Sequence, residues 1–285
     1  MNVLRGITWP YALIAVLAVA AVAVGVVRPQ LVSAATGGSA KKPGATALIK
    51  QNPPPPLFTD ADIATIGKQA TDQRKKADAL FAHWKAAHGT TRDDKAFAAW
   101  AAQQVPAPPS AKERTAELRQ DQQLAKTRTA AGKKAATWLE LYGKKDIWKL
   151  YLHDQRELIP AGQGAAEKAG LKAALKLAKT ISDQVAAKDK QPAPFVVDPT
   201  LRPEKHIKPG AKGPYSYPSR HATRSAAAVT FLSALSPHRA QEYEWMRAEV
   251  LYSRLYMAGH VAGDLTAGTL LGDLIGDYEL TVSGH

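Results

Sequence analysis

The sequence has 285 residues, enough for one large domain or two small ones with a sizeable buried core. With 45% hydrophobic and 22% charged residues, the composition is globular and excludes a wholly disordered or collagen-like chain. Cysteine is absent, which excludes disulfides, thiolate metal sites and cysteine nucleophiles. Lys and Arg outnumber Asp and Glu by 38 to 25, and the net charge of +13 favours anionic partners such as phosphate esters, nucleic acid, acidic lipid or cell-wall polymer.

The N-terminus has the pattern of an export signal. Arg5 precedes an apolar run at residues 11–27, which is long for a signal peptide and just long enough to cross a bilayer. Small residues up to Ala34 provide the spacing that a signal peptidase accepts. Residues 1–34 are therefore predicted to be a signal peptide or an N-terminal membrane anchor. The protein is expected to be exported, either secreted or anchored, with membrane contact through residues 11–27.

The rest of the chain divides into a linker and a helical domain. Residues 35–57 are rich in proline and glycine and are predicted to be a spacer. Residues 58–285 show helical periodicity and capping signals with no period-2 strand pattern, which predicts an all-α domain with N-terminal helices at 58–143 and a core at 144–285. Helices are expected from Thr59 to Gly89, at 92–104, from Ser110 to Gly143 without a break, and at 145–158, 164–187, 221–235, 238–258 and 264–280.

The segment 188–220 interrupts this helical pattern. Its seven prolines, together with its glycines, forbid a long helix, and a structureless loop of this length inside a compact domain is usually functional or disordered. Pro218-Ser219-Arg220-His221 stands where this loop gives way to a helix. A helix N-terminus can hold an anion, and a histidine can exchange a proton near neutral pH. The alternative is that Ser219 is an N-cap and His221 an ordinary first-turn residue.

A second polar segment follows about thirty residues later. Arg254 offers a planar fork for a tetrahedral oxyanion, and His260 precedes Asp264 by four positions. On a helix, the two would share one stripe with Ser253 and Met257, so that the carboxylate could orient the imidazole. Taken alone, a His-x-x-x-Asp pair is more often a surface ion pair. Here His260 follows Arg254 by six residues, and Ser219-Arg220-His221 lies upstream. This combination favours a catalytic site.

The two segments together resemble motifs of the type-2 phosphatidic acid phosphatase and vanadium haloperoxidase superfamily. Those motifs read P-S-G-H and S-R-x5-H-x3-D, and the chain matches the second completely while placing Arg220 where the first usually has glycine. The sequence around Pro218 is most similar to that of bacterial class A acid phosphatases. The resemblance covers roughly residues 140–280 and implies a helical bundle that encloses a phosphate pocket without a metal ion.

By this resemblance, His260 would attack phosphorus to form a phosphohistidine, Asp264 would hold its ring, and His221 would serve as acid and base. The phosphoryl oxygens would be held by Arg254, Ser219 and Arg220. The family's first motif, K-x6-R-P, is altered, because the residue seven positions before Arg202 is Phe195. Arg202, with Lys188 or Lys190, is expected to supply the missing cations.

The sequence therefore predicts an exported, metal-independent histidine acid phosphatase that acts on a small phosphate ester or a lipid phosphate and needs no cofactor. Two alternatives stay open: a non-catalytic anion-binding protein of the cell envelope, and a haloperoxidase in which vanadate takes the place of phosphate. Nucleic acid is not an expected partner, because the lysine-rich helices lack a stacking platform.

Overall fold

The computed structural model describes residues 43–156, 159–201 and 215–285. The predicted export segment at 1–34 lies outside these residues. Within the described ranges the chain is all-α, and the nearest approach to a sheet is a single bridge between Pro192 and Tyr215. The helices are α1 (Ala45–Gln51), α2 (Asp60–His88), α3 (Asp94–Gln104), α4 (Ala111–Lys126), α5 (Ala130–Tyr142), α6 (Asp146–Arg156), α7 (Ala161–Asp189), α8 (Pro194–Val197), α9 (Arg220–Leu235), α10 (Ala240–Tyr256) and α11 (Ala262–Ser283).

The described residues between 43 and 285 form one compact unit, which includes both the N-terminal helices and the helices of the region 144–285. The C-terminal helix α11 is central and packs against α9 most extensively, and then against α2 and α7. The α11–α9 contact is close because three glycines of α11 face α9: a Cβ on Gly268 would lie 2.6 Å from the carbonyl oxygen of Ser219. This close approach places the start of α9 against the start of α11.

Two of the predicted boundaries are wrong. Residues 45–51 lie within the predicted spacer but form α1, whose Ile49 is buried beside Trp138. The helix expected from Ser110 to Gly143 is broken into α4 and α5, because Thr129 caps α5 by accepting a hydrogen bond from the amide of Gly132. The phenolic oxygen of Tyr256 accepts from the amide of Thr129 at 2.7 Å and holds this break against α10.

The other predicted helices are confirmed within a few residues. The capping box of α2 is formed by Thr59 and Asp62, and that of α4 by Ser110 and Glu113. None of the described helices is both long enough and apolar enough to span a membrane.

Candidate active site

The first predicted motif lies at the N-terminus of α9, as expected. Ser219 is fully buried and caps the helix, with its Oγ accepting a hydrogen bond from the amide of Ala222 at 3.4 Å. Its own amide donates to the carbonyl oxygen of Asp264 at 2.9 Å. The hydroxyl of Ser219 thus has a structural role in capping, and its amide joins the first motif to the second.

The second motif spans a turn, so the expected single stripe from Ser253 to Asp264 is wrong. Helix α10 ends at Tyr256, and α11 begins at Ala262, which leaves His260 in the turn between them. Ala258 adopts a left-handed conformation with φ of 49°, which stops α10. Gly259 has no Cβ, and one placed there would collide with Nη2 of Arg254. The missing side chain therefore leaves room for the guanidinium beside His260.

His260 is oriented by a carbonyl and a carboxylate. Its Nδ1 lies 2.9 Å from the carbonyl oxygen of Ser216 and 3.7 Å from Oδ2 of Asp264. Since a carbonyl oxygen only accepts, Nδ1 carries the proton of the neutral ring, and Nε2 keeps its lone pair. Burial lowers the pKa of His260, against the opposing effect of Asp264. The ring is thus held neutral, with Nε2 free to act as a nucleophile.

Asp264 is completely buried at the first turn of α11. One carboxylate oxygen accepts a hydrogen bond from the amide of Val261 at 3.2 Å, and the other accepts one from Nη1 of Arg114 at 2.9 Å. Burial alone would raise the pKa of Asp264, but contact with His260 and then with Arg114 holds that pKa below its usual value. Asp264 is therefore ionised when His260 is neutral.

His221 and Arg254 meet at Glu140, a residue of α5. Nε2 of His221 lies 3.2 Å from the carbonyl oxygen of Glu140 and 3.5 Å from its Oε2, and the same Oε2 forms an ion pair with Nη1 of Arg254. Burial lowers the pKa of Arg254 to about 10, so its guanidinium remains charged at neutral pH. His221 and Arg254 are each 5% exposed. The two predicted residues thus bind one carboxylate between them.

Burial, followed by the charges of Lys144 and His260, lowers the pKa of His221 well below its usual value. The charge of Arg254 in turn contributes to lowering the pKa of His260. The contacts agree with this proximity: Glu140 joins His221 to Arg254, and Nη2 of Arg254 lies against Gly259, next to His260. The structure thus brings together two imidazoles from distant parts of the sequence and a guanidinium.

The other predicted phosphate-binding residues have different surroundings. Arg220 is exposed and forms an ion pair with Asp183 of α7. Lys188 and Lys190 are exposed at the end of α7, and neither contacts a described residue of the site. Arg202 lies outside the described residues. Within those residues, Arg254 is the predicted phosphate ligand that has a charge beside both histidines.

Sequence reasoning missed Arg114, Glu140 and Lys144, which all come from the N-terminal helices and the turn after α5. Arg114 follows a capping box, and Glu140 and Lys144 have the i,i+4 spacing of an ordinary helical ion pair. The one available signal was the positive charge of this region, and it does not distinguish these residues from many surface lysines.

The fold and the site define an all-α protein with a buried cluster of two histidines, an arginine and the carboxylates that contact them. Residues 176–278 match the family model of the PAP2 superfamily. This range includes both motifs, from Ser219 to Asp264, but leaves out Arg114, Glu140 and Lys144.

No curated protein matches the chain. A similar solved structure is described as the first transmembrane PAP2 type phosphatidylglycerolphosphate phosphatase from Bacillus subtilis, with 15% sequence identity and a TM-score of 0.44. The match covers 64% of this chain and 90% of the other.

Proposed function

We propose that the protein is an exported phosphatase that hydrolyses phosphate monoesters or lipid phosphates through a phosphohistidine intermediate. The observation that carries this proposal is the carboxylate of Glu140 bound between Arg254 and His221. An anion already occupies the position where a phosphoryl group would need a cation on one side and a proton donor on the other. The superfamily match over residues 176–278 supports the same class of reaction.

The geometry supports a two-step displacement. Nε2 of His260 attacks phosphorus, the bond from phosphorus to the ester oxygen breaks, and His221 gives its proton to the departing oxygen. Water then attacks the phosphohistidine, His221 accepts a proton from it, and Nε2 of His260 is released with inorganic phosphate. Arg254 balances the charge on the phosphoryl oxygens in both steps. Asp264 and the carbonyl of Ser216 keep the proton of His260 on Nδ1 throughout.

Hydrolysis of p-nitrophenyl phosphate tests the proposal directly. The variant His260→Ala should lose at least about 1,000-fold in kcat while keeping the melting temperature of the wild type. His83→Ala is the matched control, because His83 is exposed on α2, and it should retain full activity. Binding of phosphate or vanadate without turnover in the wild type would instead favour an anion-binding protein, and peroxide-dependent halide oxidation after vanadate loading would favour a haloperoxidase.

The intermediate can be trapped separately. In His221→Ala, the aryl leaving group departs without a proton, but water is no longer activated, so the phosphoenzyme should accumulate. Labelled substrate followed by an alkaline quench, which preserves phosphohistidine, should show label on His260 in this variant. Absence of label in both the variant and the wild type would contradict a covalent route. The exported location is tested by the position of a tagged chain in cell fractions.

A further inference from the structure

The site contains a charge pair that neither motif includes. Glu140 lies at the end of α5, and Lys144 lies one turn later, between α5 and α6. Nζ of Lys144 is 3.6 Å from Oε1 of Glu140, while Oε2 of the same carboxylate contacts Arg254 and His221. One oxygen of the Glu140 carboxylate thus contacts Arg254 of α10, and the other lies near Lys144, which follows α5.

This pair is relevant because a phosphate substrate needs positive charge in the site. A phosphate monoester has a charge of about −1.5 to −2 at neutral pH. Burial favours the neutral forms of His221 and His260, so among the described residues that were predicted to bind phosphate, Arg254 is the cation that lies beside the histidines. One guanidinium leaves a dianion partly uncompensated in a buried site, and that is costly.

Lys144 can supply the missing charge. Its ammonium lies 3.6 Å from the carboxylate whose other oxygen contacts His221 and Arg254, and its charge contributes, after burial, to the lowered pKa of His221. Its own pKa is lowered by burial and by the charges of Arg220, Arg224 and Lys145. A lysine held among cations, with its ammonium 3.6 Å from a carboxylate oxygen of Glu140, has a strong electrostatic preference for a further anion.

We propose that Lys144 is a phosphate-binding residue and that Glu140 is an internal competitor that leaves when the substrate binds. This inference depends on the proposed phosphatase function and identifies how that site takes its dianionic substrate. The phosphoryl group replaces the Glu140 carboxylate between Arg254 and His221. The ammonium of Lys144 then contacts a phosphoryl oxygen instead of Glu140. Nε2–H of His221, which now faces the Glu140 carbonyl, becomes available to the leaving oxygen.

The two residues should therefore have opposite effects on phosphate binding. Lys144→Met should weaken inhibition by orthophosphate at least 10-fold, because a charge-assisted contact is lost. Glu140→Gln keeps the shape of the side chain but removes the competing charge, so it should strengthen inhibition by orthophosphate several-fold. A gain of affinity is a result that structural damage does not produce.

Lys145→Met is the matched control, because Lys145 is adjacent to Lys144 but exposed and 4.0 Å from Asp146. It should change the inhibition constant less than 2-fold. Calorimetric titration of each variant with orthophosphate gives the same comparison without turnover, and the melting temperature confirms that each is folded. The inference is overturned if Lys144→Met behaves as Lys145→Met does, or if Glu140→Gln weakens phosphate binding.

Failure of this inference differs from failure of the proposed function. If the wild type hydrolyses p-nitrophenyl phosphate and depends on His260 while Lys144→Met matches its control, only the role of Lys144 is wrong. If the wild type binds orthophosphate with opposite effects of Lys144→Met and Glu140→Gln but never turns over a phosphate ester, the anion site stands and the phosphatase proposal is wrong.

Discussion

Nη1 of Arg114 donates a 2.9 Å hydrogen bond to Oδ1 of Asp264, across 150 positions of the sequence. The other end of the same guanidinium, Nη2, donates to the carbonyl oxygen of Pro192 at 2.6 Å and to Oγ of Ser216 at 2.8 Å. Because the carbonyl of Ser216 also holds His260, Arg114 fixes both groups that orient the nucleophile. Arg114 does not touch the reacting atoms and is a positioning residue.

Replacement of Arg114 by methionine should lower kcat for p-nitrophenyl phosphate by about 10- to 100-fold, because loss of an outer partner misorients the group that it supports. Arg114→Lys should recover only part of the loss, since one ammonium cannot make both sets of bonds. Arg119→Met, at an exposed position on the same helix, is the control and should match the wild type. Equal activity of Arg114→Met and Arg119→Met would show that Asp264 needs no support from α4.

The residues adjacent in sequence were the predictable part of this site. Ser219 with His221, and Arg254 with His260 and Asp264, stand in short segments whose spacing by itself indicates their chemistry. The capping box of Thr59 and Asp62 likewise predicted the start of α2, because both partners lie within one turn.

The contacts across the bundle could not be predicted. Arg114 and Glu140 reach the site because α4 and α5 pack against α10. The spacing of residues within a helix does not indicate which of its faces will contact a helix more than a hundred residues away. The room that Gly259 leaves for Arg254 is another case, because it becomes visible only in three dimensions. Local signals thus predicted the helices and motifs, and packing decided the positioning residues.

The pH optimum of kcat/KM should lie below the pKa of an ordinary histidine. His260 must be neutral to attack, so activity rises with pH through its pKa, which burial lowers. His221 must be protonated to act as an acid, so activity falls as pH rises through its pKa, which burial and the charge of Lys144 lower further. Both limbs are therefore expected below about pH 6.5.

Lys144→Met tests the contribution of His221 to this profile. Removal of the positive charge raises the pKa of His221, so the pH optimum, which lies midway between the pKa values of His221 and His260, should move to higher pH. Titration of the substrate is common to both proteins and cancels in the comparison. A pH optimum that stays where it is in the wild type would contradict the assignment of His221 as the acid.

The close packing of α11 against α9 should tolerate no side chain at Gly268. A Cβ there would lie 2.6 Å from the carbonyl oxygen of Ser219 and 2.9 Å from Cβ of Ala222, so Gly268→Ala must push the helices apart at the start of α9. We expect a loss of about 1–3 kcal/mol in the free energy of unfolding, with a loss of activity. Gly67→Ala is the control, because its Cβ meets Ala248 at an ordinary 3.5 Å, and it should stabilise α2 by up to about 1 kcal/mol. Thermal denaturation of both variants checks this, and an unchanged melting temperature for Gly268→Ala would show that α9 and α11 separate freely.

Glu249 of α10 should make the stability of the fold depend on pH. It is fully buried, and its Oε2 accepts a hydrogen bond from the amide of Phe58 at 3.2 Å. Burial, and then the charges of Asp60 and Asp62, raise the pKa of Glu249 to about 8. The folded state therefore keeps a proton that the unfolded state releases, and this carboxyl lowers the stability as pH rises from about 4.5 to about 8.

Glu249→Gln removes this titration and keeps the size of the side chain. Its melting temperature should equal that of the wild type near pH 4, below the ordinary pKa of 4.5, and should exceed it by at least about 4 °C at pH 9. Glu242→Gln, on the same helix, loses a 3.0 Å ion pair with Arg239 and should lower the melting temperature slightly at both pH values. A difference between Glu249→Gln and the wild type that does not grow with pH would mean that Glu249 is ionised in the folded protein throughout this range.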